Sequence, residues 1–123
     1  MNRGEIWLVN LDPTIGAEIQ KTRPAVIVSI DAVGVLPLRI VVPLTEWKDR
    51  FAQAPWMVRV EPSPANGLEK VSCADTFQVR SVSVGRLVRR LGRLEEELMH
   101  AIEQALAITL GITAIDQGVR DAE

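Results

Sequence analysis

A chain of 123 residues, 47% hydrophobic and 24% charged, has the length and balance of one globular domain. That composition excludes a disordered chain, and no stretch approaches the roughly 20 uncharged residues of a membrane span. The single cysteine, Cys73, excludes an internal disulfide, and the net charge of −2 hides an asymmetry: residues 95–123 hold seven acids and one base, so residues 1–94 carry +4. A basic body suits an anionic partner. The opening MNRGEIWLVNLDPT lacks the apolar core and cleavage site of a signal peptide, so a cytoplasmic protein is expected.

EIWLVN (5–10) reads as a strand that stops at Asp12-Pro13, and a loop containing Gly16 follows to about Thr22. AVIVSI (25–30) is an apolar run of strand length. LRIVVPL (38–44) reads as a further strand, in which Pro43 suggests an edge or a bulge. TEWKDRF (45–51) suggests a short helical turn capped by Thr45. WMVRVEP (56–62) alternates, SPANG (63–67) is turn chemistry, and KVSCADTFQVRS (70–81) reads as one longer strand. In a regular strand there, Asp75 and Phe77 share a face. VGRLV (84–88) suggests another turn and VRRLGRL (88–94) a last strand. Leu94, Leu98, Ile102, Ala105, Leu106 and Thr109 then recur at helical spacing, with Gly111 as a stop. Five or six strands and one helix make a mainly β (α+β) fold: a small twisted antiparallel sheet or barrel with an amphipathic C-terminal helix against it. One domain over residues 1–112 is expected, with a frayed tail from 113 to 123.

Much chemistry is excluded by the residues present. The one histidine, His100, falls inside the helix, so no two-histidine acid–base pair forms within a chain. Cysteine and histidine are too few for a zinc site, and no acidic cluster suggests a hard cation, so neither metal nor cofactor is expected. Cys73 has no activating base and reads as a buried hydrophobe. What remains centres on arginine. The loop GAEIQKTRP (16–24) gathers Glu18, Lys21 and Arg23 ahead of a strand. Pro24 holds Arg23 extended. A guanidinium fixed in this way suits a phosphate, to which its planar fork donates two parallel hydrogen bonds. If the second and third strands pair, Thr45 lies at the same end of the sheet.

RGEIWLVNLDPTIGAEIQKTRPAVIVS (3–29) resembles the N-terminal signature of the MazF/PemK toxins of bacterial toxin–antitoxin pairs, and VVPLT (41–45), GLEKVSCADTFQVRSV (67–82) and LGRL (91–94) are compatible with that family. The resemblance implies an SH3-like fold shared with the Kid and CcdB toxins, working as a homodimer. It implies a metal-independent endoribonuclease that cuts single-stranded RNA at short sequences by attack of the 2′-hydroxyl, leaving a 2′,3′-cyclic phosphate and a 5′-hydroxyl. The family's catalytic arginine falls on Arg23, its strand-end threonine on Thr45 and its first-loop acid on Glu18. A MazE-like antitoxin, whose acidic tail covers the RNA groove, is the implied protein partner.

Two departures stand out. Phe77 occupies the position of the family's late-strand acid, with Asp75 two residues earlier, and Ile19-Gln20 replaces a frequent Gln-Gly. Lys21, Gln78, Arg80 and Lys48 are the expected RNA contacts, with Arg50 and Trp56 as weaker candidates. Two alternatives share the fold: a CcdB-like gyrase poison, and a non-catalytic module that binds an antitoxin peptide.

Overall fold

Seven antiparallel strands and one helix occupy the residues described, 1–113, of a computed structural model. In chain order the strands are β1 (Glu5–Asn10), β2 (Thr22–Ile27), β3 (Leu38–Glu46), β4 (Met57–Val60), β5 (Ser72–Asp75), β6 (Arg80–Ser83) and β7 (Leu87–Arg93), followed by α1 (Glu96–Leu110). They hydrogen-bond in the order β4-β5-β3-β2-β1-β7, with β6 also on β3. The expected tail lies outside the described residues from 114 onward. No helix among the described residues is long and apolar enough to cross a membrane.

β3 is the hub. One side pairs with β2 through Ala25↔Pro43, Val26↔Val42 and Ile27↔Val41. On the other side Leu38–Val41 pair with β6 and Leu44–Glu46 with β5. Pro43 therefore marks neither an edge nor a bulge. It falls where β3 exchanges one partner for the next, a break in the ladder that tolerates a missing N–H.

The apolar run over β2 and β3 is continuous because both faces of the sheet are covered. Val26, Val42 and Leu44 join Ile6, Val60 and Ala74 beneath Met99 and Ile102 of α1. Ala25, Ile27 and Val41 join Val9, Leu11, Val82 and Leu87 on the opposite face. The period of two sorts alternate residues into the two clusters, and each fully buried aliphatic side chain contributes roughly 1.5–3 kcal/mol. Met99 adds to the stripe expected for α1. Glu95 stands at the N-cap of the helix without a side-chain cap bond, and Gly111 closes it, with a φ of 70° in the left-handed turn that glycine adopts without strain.

Three further expectations are corrected. Residues 70–81 form two strands, because a 3-10 turn over Thr76–Gln78 separates β5 from β6. Asp75 caps that turn by accepting a hydrogen bond from the Phe77 N–H at 3.0 Å. The alternation is thereby lost: Asp75 is buried, while Phe77 stands 62% exposed. Thr45 caps no helix. It lies within β3, and the turn after it, Asp49–Gln53, starts behind Lys48 with no side-chain cap. β2 starts at Thr22, ahead of Pro24, which puts Arg23 inside the strand.

Candidate active site

Arg23 lies opposite Val9 of β1, near the entry to β2. The β2–β3 ladder ends at Ala25↔Pro43; its register carried two residues further would set Arg23 across from Thr45, on one face of the sheet. Both border a cleft of about 370 Å³ that also takes in Glu46, Lys70, Ser72 and Arg89. The Arg23 Nε donates to the Gln20 carbonyl at 3.2 Å, which anchors the guanidinium from behind. Its two terminal nitrogens have no protein partner among the described residues. A held guanidinium with a free fork is what an incoming phosphate oxygen requires.

Glu18 rides on the loop between β1 and β2, and that loop is tied down from several sides. Asp12 Oδ1 accepts from the Lys21 N–H at 3.1 Å and from the Thr14 hydroxyl at 3.2 Å. The Leu11 N–H donates to the Lys21 carbonyl at 3.0 Å. Lys21 pivots with φ 74°, a left-handed conformation that side chains other than glycine seldom adopt. Glu18 Oε1 accepts from the Ile15 N–H at 2.9 Å. The Gln78 amide grips the residues on either side of Glu18: its Oε1 accepts from the Ile19 N–H at 2.7 Å and its Nε2 donates to the Ala17 carbonyl at 3.0 Å. Arg80 donates to the Leu11 carbonyl at 3.0 Å, and Arg86 to the carbonyls of Asn10 and Asp12.

The predicted residues thus divide. Arg23 and Thr45 meet in one cleft. Glu18 lines a second, of about 560 Å³, with Asp75, Phe77, Gln78 and Arg80. Pro43 borders this second cleft and sits two residues from Thr45 on the same face of β3, which makes the clefts neighbours. Gln78 and Arg80, expected as RNA contacts, spend hydrogen bonds on the loop backbone. Lys21 is exposed on the bend between Glu18 and β2, and Lys48 is exposed behind β3 and lines neither cleft. Arg86, Arg89 and Lys70 escape the sequence reading, because nothing local marks them and only strand pairing brings them near. His100 is 73% exposed on α1, with its Nδ1 3.4 Å from Glu103, in a separate depression with Arg3 and Arg93. Among the described residues, no group of three or more His, Cys, Asp or Glu is arranged to hold a metal.

Burial shapes two ionisable groups on β5. It raises the Asp75 carboxyl above its ordinary range, and the hydrogen bond from Phe77 opposes that shift. Burial, aided by the Asp75 charge, pushes the Cys73 thiol up to about 12. An inert small hydrophobe is the result, not a nucleophile. Ellman's reagent at pH 8 is expected to leave Cys73 untouched in folded protein and to titrate it fully in guanidinium; rapid native reaction would contradict this burial. Between about 8.5 and 12 the unfolded chain loses a proton that the folded chain keeps, so this thiol lowers stability as pH rises through that window.

A seven-stranded antiparallel sheet with one C-terminal helix is the fold that the resemblance implies. Residues 2–110 match the family of PemK-like, MazF-like toxins of type II toxin–antitoxin systems, and the chain belongs to that family. It is 34% identical to endoribonuclease MazF9 of Mycobacterium tuberculosis over 119 residues, covering 91% of this chain and 98% of that protein. It is 36% identical to endoribonuclease PemK of Escherichia coli over 112 residues, covering 89% and 82%. Among solved structures, MazF from Deinococcus radiodurans superposes with a TM-score of 0.74 at 23% identity, covering 91% and 97%. A mycobacterial endoribonuclease in complex with its cognate antitoxin gives 0.72 at 23% identity, covering 92% and 97%. These two likenesses speak for the fold.

Proposed function

We propose that this toxin is an endoribonuclease that cuts single-stranded RNA at short sequences, without a metal, by attack of the 2′-hydroxyl on the adjacent phosphorus. The observation that carries the reading is that Arg23 and Thr45 border one cleft, with the guanidinium fork free of protein partners among the described residues. In-line transfer needs a base for the 2′-hydroxyl, relief of charge on the non-bridging oxygens, and a proton for the departing 5′-oxygen. Arg23 supplies the charge relief, and the Thr45 hydroxyl adds a hydrogen bond to the same phosphate. Arginine holds its proton too tightly at pH 7 to serve readily as the acid. Glu18, in the neighbouring cleft, is the carboxylate available for proton transfer once RNA bridges the two clefts; bound to the Ile15 N–H, it also shapes its own loop. The products are a 2′,3′-cyclic phosphate and a 5′-hydroxyl.

Unpaired RNA is the fitting substrate, because side chains cannot read the deep major groove of an A-form helix. Lys21, Gln78, Arg80 and Lys48 are the proposed contacts to it, Gln78 and Arg80 with the donors they do not spend on the loop. The +4 body suits the acidic segment of an antitoxin over the same groove, and the family to which the chain belongs is the toxin half of such pairs. The protein works in the cytoplasm, where messenger RNA is found. Neither a gyrase poison nor a peptide-binding module has a specific observation in its favour.

Purified protein incubated with a long unstructured RNA in EDTA tests the reading. Cleavage at recurrent short sequences is expected, and an absolute requirement for added Mg²⁺ would overturn it. We also propose a homodimer. Sedimentation at micromolar concentration is expected to give twice the mass of the 13.6 kDa chain, and a monomer that still cleaves would remove that assignment.

A further inference from the structure

The cleft lined by Asp75 and Phe77 has a chemistry that the scissile pair does not use. Asp75 is 92% buried, with 8% relative exposure, yet it borders this cleft. One of its oxygens accepts from the Phe77 N–H and keeps its second lone pair. The other accepts nothing from the described residues. The only fully buried side-chain polar atom without a partner among them is the Trp47 indole nitrogen, so the second Asp75 oxygen keeps access to solvent. Phe77 is 62% exposed, and its ring meets Trp56 edge-on at 5.5 Å and 73°. Trp56 steadies the ring while most of it stays open. A fixed aromatic platform beside a carboxylate that can only accept is the outline of a nucleobase pocket.

We infer that this cleft is the subsite for one base of the RNA strand, and that Asp75 selects guanine there while Phe77 stacks on it. The inference rests on the RNA-cleaving reading proposed above. Its chemistry comes from the edges of the bases. An ionised carboxylate offers lone pairs and no proton. Guanine alone presents two adjacent donors, N1–H and the exocyclic amino group, on its Watson–Crick edge. The donor of adenine or cytosine sits beside a ring-nitrogen acceptor, and the uracil N3–H lies between two carbonyls. Each of those edges sets a lone pair against the carboxylate. Guanine's remaining acceptor, O6, finds donors on Arg80, which lines the same cleft and uses Nη1 on the Leu11 carbonyl. The position fits a base next to the scissile phosphate. Thr45 pairs with Cys73, which makes Asp75 the diagonal neighbour of Thr45 on the same face, roughly 7–8 Å away between backbones.

The test separates this inference from the reading beneath it. Short uridine-rich RNAs carrying one guanosine, one inosine or one adenosine, with 2′-deoxyribose replacing every ribose 2′-hydroxyl that could attack, are titrated against the slowed Arg23→Ala protein. Inosine lacks only the exocyclic amino group. The guanosine RNA is expected to bind about tenfold more tightly than either of the others. Asp75→Asn retains a carbonyl oxygen to cap the 3-10 turn and replaces the free oxygen with an amide NH₂, so it is expected to erase the preference without unfolding the protein. Phe77→Ala is expected to weaken all three RNAs alike. Equal binding of the guanosine and inosine RNAs, or a preference that survives Asp75→Asn, overturns the inference. Wild-type cleavage maps with no guanine beside the cut overturn it while leaving the nuclease intact. A wild-type protein that neither binds nor cuts any RNA overturns both.

Discussion

Arg23→Ala is expected to slow RNA cleavage by at least about two orders of magnitude in a protein that remains folded. The magnitude follows from what the side chain does. A preorganised donor aimed at developing charge typically contributes about 3–4 kcal/mol to the barrier, and removing one costs a hundredfold or more. The fold tolerates the loss because Arg23 fills no core: it is half-exposed, and among the described residues its side chain makes one hydrogen bond, to the Gln20 carbonyl. Arg23→Lys keeps the charge and loses the planar fork, so it is expected to recover part of the rate and not all of it. Single-turnover cleavage of one defined RNA, with circular dichroism of each variant, decides the matter. A well-folded Arg23→Ala protein that cuts at the wild-type rate would strip Arg23 of its catalytic role and leave only a likeness of fold.

Local pattern goes far in this chain. The amphipathic stripe of α1 and its glycine stop are legible because a period of 3.6 and a left-handed cap are both written in adjacent residues. The apolar run over β2 announces a strand covered on both faces. Arg23 is legible as a candidate because Pro24 restricts it, and because the motif around it is long and specific. What local pattern misses is pairing. Pro43 marks an edge if β3 is considered alone, whereas β3 is the hub that trades β6 for β5 at that proline. The break at Thr76–Gln78 is hidden because the capping carboxylate of Asp75 looks, in sequence, like one more alternating residue. The same blindness assigns Gln78 and Arg80 to RNA alone. Their partners, Ile19, Ala17 and Leu11, lie some sixty to seventy residues away, and only the closed sheet brings them into contact. Arg86 and Arg89 are invisible for the same reason. Apart from the local Asp75 cap, the missing information is long-range.

Gly67→Ala is expected to lower stability by about 3 kcal/mol or more, which for a domain of this size lowers the melting temperature by roughly 10 °C. Gly67 sits at φ +69°, and a Cβ there would stand 2.2 Å from the Leu91 carbonyl oxygen and 2.8 Å from its carbon. Both atoms are backbone of β7 and cannot rotate away. The opposing contact is equally tight: a Cβ on Gly92 would stand 2.3 Å from the Ala65 carbonyl oxygen. The two glycines let the 63–67 turn lie directly on β7, where the Arg93 N–H donates to Ala65 at 2.8 Å. Asn66, fully buried, holds the turn's shape from within: its Oδ1 accepts from the Ser63 and Leu68 N–H groups, each at 3.0 Å, and its Nδ2 donates to the Glu61 carbonyl at 2.9 Å. Gly16→Ala provides the contrast. Its φ is +60°, yet nothing lies within 4 Å of the added Cβ, so it meets the conformational penalty alone, about 1 kcal/mol. Because Gly67, Leu68 and Lys70 border the cleft shared by Arg23 and Thr45, displacement of the turn is expected to reduce cleavage well below the melting temperature as well. Thermal unfolding of the two variants side by side tests the argument. If Gly67→Ala melts together with Gly16→Ala, the turn is not locked against β7, and this wall of the cleft owes its position to something else.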